Sequence, residues 1–432
     1  MAEPCVLVIG DSVRLVRKAR SAGVDVVYAQ KPSQFDPALV PWCDQLLLVD
    51  YQQVPTIVAL TTALHELRPF TRIVSQTEAA QLVAGHLSDL LGVAGNSGRT
   101  TRLLQDKAAM RDLLNQQGIG AVPFRADPDR EQLRDFVATH GPSMVKPTKG
   151  SGSLGVRRVD GPDEVDVVWD WCEEFAIGDF LVEKLLVGPE LSVECFSEQG
   201  RHTIVAVTAK DTDSGVVELG HVVPAPLAAA DRAAVDALTV RLLDAVGLQD
   251  GPSHTEMILT ADGPRIVESH ARRGGDFINE LVRLVHGVDL EEATYRLAGP
   301  SEPLAGRHPA RGAAAVRFLT ATPGTVTAVT GLEEARAADG VVEVRVTVEP
   351  GAVVSPLRWS EDRCGHVVVR ADDAETAVRR ARAAADRIVI TTETGPAPEP
   401  VTLTDLLSPF DEILDPFDRE PLSSGSTGPT AH

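Results

Sequence analysis

The stretch that decides the fold runs from His254-Thr255-Glu256 through Ala261-Asp262-Gly263 to Val267-Glu268-Ser269-His270-Ala271-Arg272-Arg273-Gly274-Gly275. Met257, Ile258 and Leu259 lead into the turn and Ile266 and Val267 lead out of it, the pattern of a β-hairpin. A three-residue loop of this kind places Gly in a left-handed position and forms a bulge. With 261–263 as the loop, Glu256 is expected directly opposite Glu268. Like charges facing each other across a bare sheet repel, so a cation is expected between the two carboxylates. Mg²⁺ suits, because it is held by one or two carboxylates together with substrate phosphates. An exposed hairpin with both carboxylates in water would carry the same residues.

Upstream, Ser143-Met144-Val145-Lys146-Pro147 precedes Thr148-Lys149-Gly150-Ser151-Gly152-Ser153-Leu154-Gly155. The letters Gly150-x-Gly152-x-x-Gly155 match a dinucleotide fingerprint, but that fingerprint needs a helix at the loop. Val156–Gly161 reads as a strand and turn instead. A strand, a Gly/Ser loop and a second strand make a flap whose backbone N–H groups can cover phosphates. An ordinary hairpin turn is the other reading of the same residues. Further on, Phe180–Leu186 and Glu190–Glu194 read as two strands joined by a connector containing Gly188-Pro189. Such a connector can offer backbone groups to a base and a carboxylate to a ribose.

Only seven of the 41 basic residues are lysines, yet five of them (Lys107, Lys146, Lys149, Lys184, Lys210) lie between 107 and 210. A scarce residue type concentrated there fits a polyanion site. The net charge of −21 argues against nucleic acid as a partner. Cys5, Cys43, Cys172, Cys195 and Cys364 are scattered, without metal spacing, and read as reduced cytosolic thiols. Met1-Ala2-Glu3-Pro4 shows no signal-peptide character, and no apolar run approaches the ~18 residues of a membrane span.

The chain length leaves room for about three domains. Residues 5–10 form an apolar run ending in Gly, typical of a buried parallel strand. With Val24–Ala29, Leu46–Val49 and Arg72–Ser75 they make an α/β layer over 1–100. A helix over 100–117 opens a domain spanning 101–300, with the flap-bearing lobe at about 120–190. A β-rich lobe follows over 301–395, with strands at Ala313–Leu319 and Val341–Val348 and a helix at Ala374–Arg387. Residues 396–432 read as an acidic, Pro/Ser-rich tail, disordered in part.

Taken in order, Lys107, Val145-Lys146-Pro147 with its Gly/Ser loop, Glu183-Lys184-x-Leu186, Gly188-Pro189-Glu190, Glu256 and Glu268 ahead of an arginine resemble the ATP-grasp superfamily over roughly residues 100–300. His254-Thr255-Glu256, Glu268-Ser269-x-Ala271-Arg272 and Glu218–Ala225 look most like its L-amino-acid ligase branch of carboxylate–amine ligases, bacilysin-type dipeptide ligases included. The resemblance implies an α/β (α+β) ATP-grasp fold with an N-terminal α/β domain, a two-lobed core and a small C-terminal lobe. It implies ATP and Mg²⁺ as cofactors and amide or peptide formation through an acyl phosphate.

It further implies that Lys107 and Lys146 bind phosphates, with Ser151, Gly152 and Ser153 closing over them. Glu183, Lys184 and Leu186 would hold adenine, the latter two through backbone groups, and Glu190 the ribose. Glu256 and Glu268 would bind Mg²⁺, and Arg272 the acyl phosphate or substrate carboxylate. Glu218 and His221 would line the amino-acid site. Where many relatives carry Asn two residues after the second metal Glu, this chain has His270, which puts the third metal contact in question and leaves His270 to substrate or to structure. Expected partners are a small-molecule carboxylate and an amine, in the cytoplasm, with no nucleic acid, no membrane, and a homodimer left open. The rivals are an ATP-grasp enzyme of another class, purine-pathway or biotin-carboxylase-like, and a non-catalytic ATP-binding protein.

Overall fold

The computed structural model describes residues 4–150, 155–174, 177–211, 217–299, 304, 306 and 308–393. Ser151, Gly152 and Ser153 of the glycine loop, and the tail from 396, lie outside the described residues. The first apolar run is strand β1 (Cys5–Ile9), followed by helix α1 (Val13–Ser21), β2 (Asp25–Gln30), β3 (Gln45–Leu48), α2 (Val54–Leu67), β4 (Arg72–Val74) and α3 (Glu78–Leu91). The four strands are parallel, in the order β3-β2-β1-β4. Every residue of β1 is buried, because helices cover both faces of such a sheet and leave no polar alternation. Strand order reverses beside β1, so a crevice opens where β1 and β4 end, the place where such sheets meet ligands. Gln76 and Glu78, just past β4, point from this crevice to Arg273 and Arg272.

The single helix expected over 100–117 is two helices, α4 (Gly98–Gln105) and α5 (Lys107–Gln116). Asp106 between them is extended, and its carboxylate accepts the Ala109 N–H, which starts a new helix. Lys107 thereby becomes the first residue of α5, and its own N–H donates to the Thr148 carbonyl at the base of the glycine loop.

Next come β5 (Phe124–Ala126), α6 (Arg130–His140), β6 (Ser143–Pro147), β7 (Arg157–Val159), α7 (Val165–Glu174) and β8 (Phe180–Lys184). Their antiparallel sheet runs β5-β8-β6-β7. The glycine loop joins two antiparallel strands, β6 and β7, which excludes the dinucleotide reading of its letters.

The central layer is β9 (Glu190–Glu198), β10 (Arg201–Asp211), β11 (Gly220–Val223), α8 (Ala229–Val246), β12 (Gly251–Thr260), β13 (Gly263–His270), α9 (Ile278–His286) and α10 (Leu290–Arg296). The chain finishes with β14 (Ala313–Leu319), β15 (Gly324–Thr330), α11 (Leu332–Arg336), β16 (Val341–Val346), β17 (Val353–Val354), β18 (Gly365–Ala371), α12 (Ala374–Ala385) and β19 (Val389–Glu393). The residues after 301 do not stand apart. Strands β14, β18 and β16 extend the central sheet to eight strands, β13-β12-β9-β10-β11-β14-β18-β16, while β17-β15-β19 form a small sheet of their own. No helix among the described residues is long and apolar enough to cross a membrane, and all five cysteines are free.

The N-terminal layer is fastened to the central one by Glu291 at the start of α10. Its side chain is fully buried and meets Arg14 (2.6 Å) and Lys18 (2.5 Å) of α1 and Arg273 (2.8 Å). Removing one member of a buried charge cluster leaves the others unpaired, which typically costs 3–5 kcal/mol. The three cations keep some contact with water, so Glu291→Ala is expected to lower stability by about 3 kcal/mol, measured as a fall in the urea midpoint. An unchanged midpoint would show that Glu291 does not carry the link and that other contacts, Glu78 with Arg272 and Arg72 with Asp250 among them, hold the layers.

Candidate active site

Strands β12 and β13 pair with His254 opposite His270, Thr255 opposite Ser269 and Glu256 opposite Glu268. The pairing of the two glutamates is as the sequence suggests, but the route to it differs. Beyond Glu256 the register steps, so that Met257 faces Ile266 and Thr260 faces Gly263. Only Ala261 and Asp262 lie between the paired ends. The extra residue sits at Val267 as a bulge rather than in a three-residue loop. Side chains alternate faces along a strand. Thr255 and Ser269 hydrogen-bond each other on one face (2.8 Å), leaving His254, Glu256, Glu268 and His270 together on the other.

That face opens on a cavity of about 180 Å³, lined also by Lys210, Glu218, His221, Arg272 and Asp276. Each glutamate is held by one lysine and one histidine. Glu256 lies 2.5 Å from the Lys210 ammonium and 3.1 Å from His254 Nε2. Glu268 lies 3.2 Å from the Lys107 ammonium and 3.1 Å from His270 Nε2. Burial alone would raise both carboxyls. Lys210 and His254 at Glu256, and Lys107 and His270 at Glu268, outweigh it and hold both well below the usual carboxylate range. Both are therefore ionised at neutral pH.

The imidazoles are gripped from behind. His254 Nδ1 meets Glu194 of β9 at 2.9 Å, and His270 Nδ1 meets Glu78 of α3 at 3.2 Å. Burial opposes a charge on His254, but Glu194 and Glu256 raise it to about 9. Glu78 also accepts from Arg272 Nε at 2.5 Å. His270 thus has both ring nitrogens on carboxylates. It bridges Glu268 to the N-terminal layer. Arg273 turns the other way, to Glu291. Gly274 follows because a Cβ there would lie 3.0 Å from both Glu194 Oε2 and His254 Nδ1.

Two carboxylates on one cavity wall, both charged, fit a hard divalent cation that completes its shell from phosphates and water. Among the described residues no set of three or more His, Cys, Asp or Glu side chains forms an ion cage, so protein ligands alone would not complete the shell.

The remaining expected residues fall into two groups. Lys107 donates to the Gly150 carbonyl (2.6 Å) as well as reaching Glu268. Lys146 is buried, and its ammonium contacts Glu183, which is itself buried and paired with Arg111 at 3.1 Å. Expected to hold adenine, Glu183 has its carboxylate occupied by these two cations. The Lys184 N–H is likewise taken by the Pro123 carbonyl, so its amide is not free for a base; Leu186 lies two residues on in the connector. Gly188 lets that connector pack on β12, since a Cβ there would lie 2.0 Å from the Leu259 carbonyl oxygen.

Glu190 and Glu218 join Glu256 around Lys210, at 3.1 and 3.0 Å, with the lysine side chain 1% exposed. His221 is buried with neither ring nitrogen hydrogen-bonded, 3.9 Å from Asp276 and edge-on to Phe318. Asp276 and Phe277 both take positive φ (46° and 67°), a conformation that costs non-glycine residues energy. Arg363, ahead of β18, holds Asp276 with two bonds (2.7 and 3.0 Å) and donates to the Glu218 carbonyl.

Sequence reasoning gave no role to Glu78, Arg111, Glu194, Asp276 or Arg363. For Lys210 the signal was the clustering of scarce lysines.

Residues 139–280 match the ATP-grasp domain, and residues 317–393 match the L-amino acid ligase C-terminal domain 2. The chain is 24% identical to the L-arginine-specific L-amino acid ligase of Bacillus subtilis, over 76% of this chain and 82% of that one. It is 26% identical to an uncharacterised protein of Sinorhizobium fredii, over 80% and 75%. The crystal structure of an L-amino acid ligase from Bacillus licheniformis superposes with a TM-score of 0.77 at 21% identity, covering 91% of this chain and all of that one. Phosphoribosylglycinamide synthetase from Anaerococcus prevotii superposes at 0.67 with 16% identity, covering 90% and 100%. The chain thus carries a segment that matches an ATP-grasp domain, followed by one that matches the second C-terminal domain of the L-amino acid ligases.

Proposed function

We propose that this chain is an ATP-dependent carboxylate–amine ligase that joins an amino acid to a second amino acid or another amine, releasing ADP and phosphate. The observation that carries the reading is the pair Glu256 and Glu268, charged, on one cavity wall, each with a lysine against it. The C-terminal domain favours ligation of amino acids over the purine-pathway and biotin-carboxylase rivals.

In this mechanism a substrate carboxylate attacks the γ-phosphate of ATP to give an acyl phosphate, which an amine then attacks to give the amide. Lys107 and Lys146 hold the phosphates, with Ser151, Gly152 and Ser153 of the flap over them. Glu183 acts by holding Lys146. The connector backbone at Lys184 and Leu186 meets the base through the groups left free, and Glu190 the ribose. Mg²⁺ held by Glu256 and Glu268 would neutralise charge on the transferring group. Arg272, aimed by Glu78, stabilises the spread of charge on the reacting phosphoryl and carboxylate oxygens. Its planar fork suits that recognition. Glu218 and His221 line the amino-acid side. His221, whose ring nitrogens make no hydrogen bond and whose Nε2 lies 3.9 Å from Asp276, takes the proton released by the attacking amine. Free cysteines throughout fit a cytoplasmic enzyme.

Phosphate release from ATP, screened over pairs of amino acids with mass spectrometry of the products, tests the reading. Release that depends on particular pairs and yields the dehydrated mass of the two is expected. ATP turnover indifferent to amino acids, or dependent on bicarbonate, would overturn it.

Arg272 and Arg273 make a controlled pair. Arg272→Ala is expected to lower turnover by ~10²–10³ while leaving ATP binding largely intact. Arg273→Ala should be milder in turnover, because that side chain serves Glu291. Near-normal amide formation by Arg272→Ala would remove it from the mechanism.

A further inference from the structure

Arg111, one turn into α5 from Lys107, heads the large side chains that are fully buried, at 1% exposure. A buried guanidinium is costly, and an apolar side chain of similar volume would fill the space at less expense. Two of its three nitrogens are directed, while Nη1 is buried without a hydrogen-bond partner. Nε donates to Glu183 Oε2 at 3.2 Å, and Nη2 donates to the Ile266 carbonyl at 2.6 Å, with the Val267 carbonyl at 3.5 Å. The other Glu183 oxygen takes the Lys146 ammonium.

The two carbonyls belong to the bulge in β13. In the register set by the turn, Thr260 faces Gly263 and Met257 faces Ile266. Continued without a step, that register would set Glu256 against Val267 and put Glu268 opposite Thr255. A slip of one residue moves a side chain to the other face of the sheet. The extra residue at Val267 is therefore what brings Glu268 to the cavity beside Glu256, and bulges re-aim side chains at active sites in this way. Arg111 clasps that bulge.

We propose that Arg111 is a positioning residue: through Glu183 it aims the phosphate-binding Lys146, and through the bulge carbonyls it sets the metal-binding Glu268. One rigid fork thus fixes the lysine of the flap lobe relative to the carboxylate of the hairpin, from the helix that carries Lys107. The inference rests on the reading that Lys146 and Glu268 meet the nucleotide and its cation.

The two arms are separable. Arg111→Lys keeps a cation for Glu183 but has no fork to span the carbonyls. Arg111→Met removes both links, and Glu183 remains paired with Lys146, so no lone charge is left buried. Equilibrium binding of a fluorescent, non-hydrolysable ATP analogue is measured without metal and then across a Mg²⁺ titration, alongside thermal melts.

Arg111→Lys is expected to raise the half-saturating Mg²⁺ by about tenfold, with metal-free nucleotide affinity close to that of the unmodified protein. Arg111→Met should weaken both. Folded variants with unaltered nucleotide and Mg²⁺ dependence would overturn the proposal. So would unfolding of both variants, which would assign Arg111 to the fold instead. Nucleotide and Mg²⁺ binding in a protein that ligates no amino acids would refute the ligase reading and leave this inference to be decided by the same binding data.

Discussion

The structure turns on two glutamates that a bare sheet would not tolerate side by side. Glu256 and Glu268 face each other across the β12–β13 hairpin, desolvated and ionised. Such a pair persists only when cations surround it. Lys210, Lys107, His254 and His270 provide them here, and each cation comes with its own anion or neighbouring element. Glu194 stands behind His254, Glu78 behind His270, and Glu190 and Glu218 around Lys210. Alternating charge spreads outward from the hairpin to the N-terminal layer through Glu78 and to the flap lobe's glycine loop through Lys107.

That spread explains why the layers are where they are. The N-terminal layer reaches the site through Glu78 and fastens beside it through Glu291. The flap lobe contributes Lys146 and Glu183, tied to α5 by Arg111. The C-terminal segment continues the central sheet and sends Arg363 back to Asp276 and the Glu218 carbonyl. Asp276 and Phe277 hold left-handed backbone conformations next to the Gly-Gly pair, and the two bonds from Arg363 over-determine that turn. Chemistry at the cavity therefore depends on contacts from the N-terminal layer, the flap lobe and the C-terminal segment as well as the central sheet.

Much of this was legible in the residues themselves, because local pattern sets local structure. The apolar flanks of the Asp-Gly turn announced the hairpin. The facing of Glu256 and Glu268 needed only one extra residue between turn and glutamates. Where that residue is absorbed was not legible: Gly263 looked suited, yet the bulge lies at Val267, where a buried guanidinium from α5 can hold it. The break at Asp106 was hidden inside a continuous helical pattern, although Asp is a good N-cap. Glu78 and His270 lie 192 residues apart, Glu194 and His254 60 apart, and no periodicity links such partners. Glu183 could be found as a motif residue, but its duty to Lys146 and Arg111 needed the packed interior.

The central claim is that Glu256 and Glu268 together take a divalent cation with the nucleotide. Mn²⁺ accepts the same oxygen ligands as Mg²⁺ and can be counted by electron paramagnetic resonance. Titrating it into the protein with a non-hydrolysable ATP analogue, and into Glu256→Gln and Glu268→Gln, tests the claim directly. The account predicts nucleotide-dependent Mn²⁺ binding that falls by roughly 10-fold or more in affinity in each variant. Equal Mn²⁺ binding in all three proteins would contradict it.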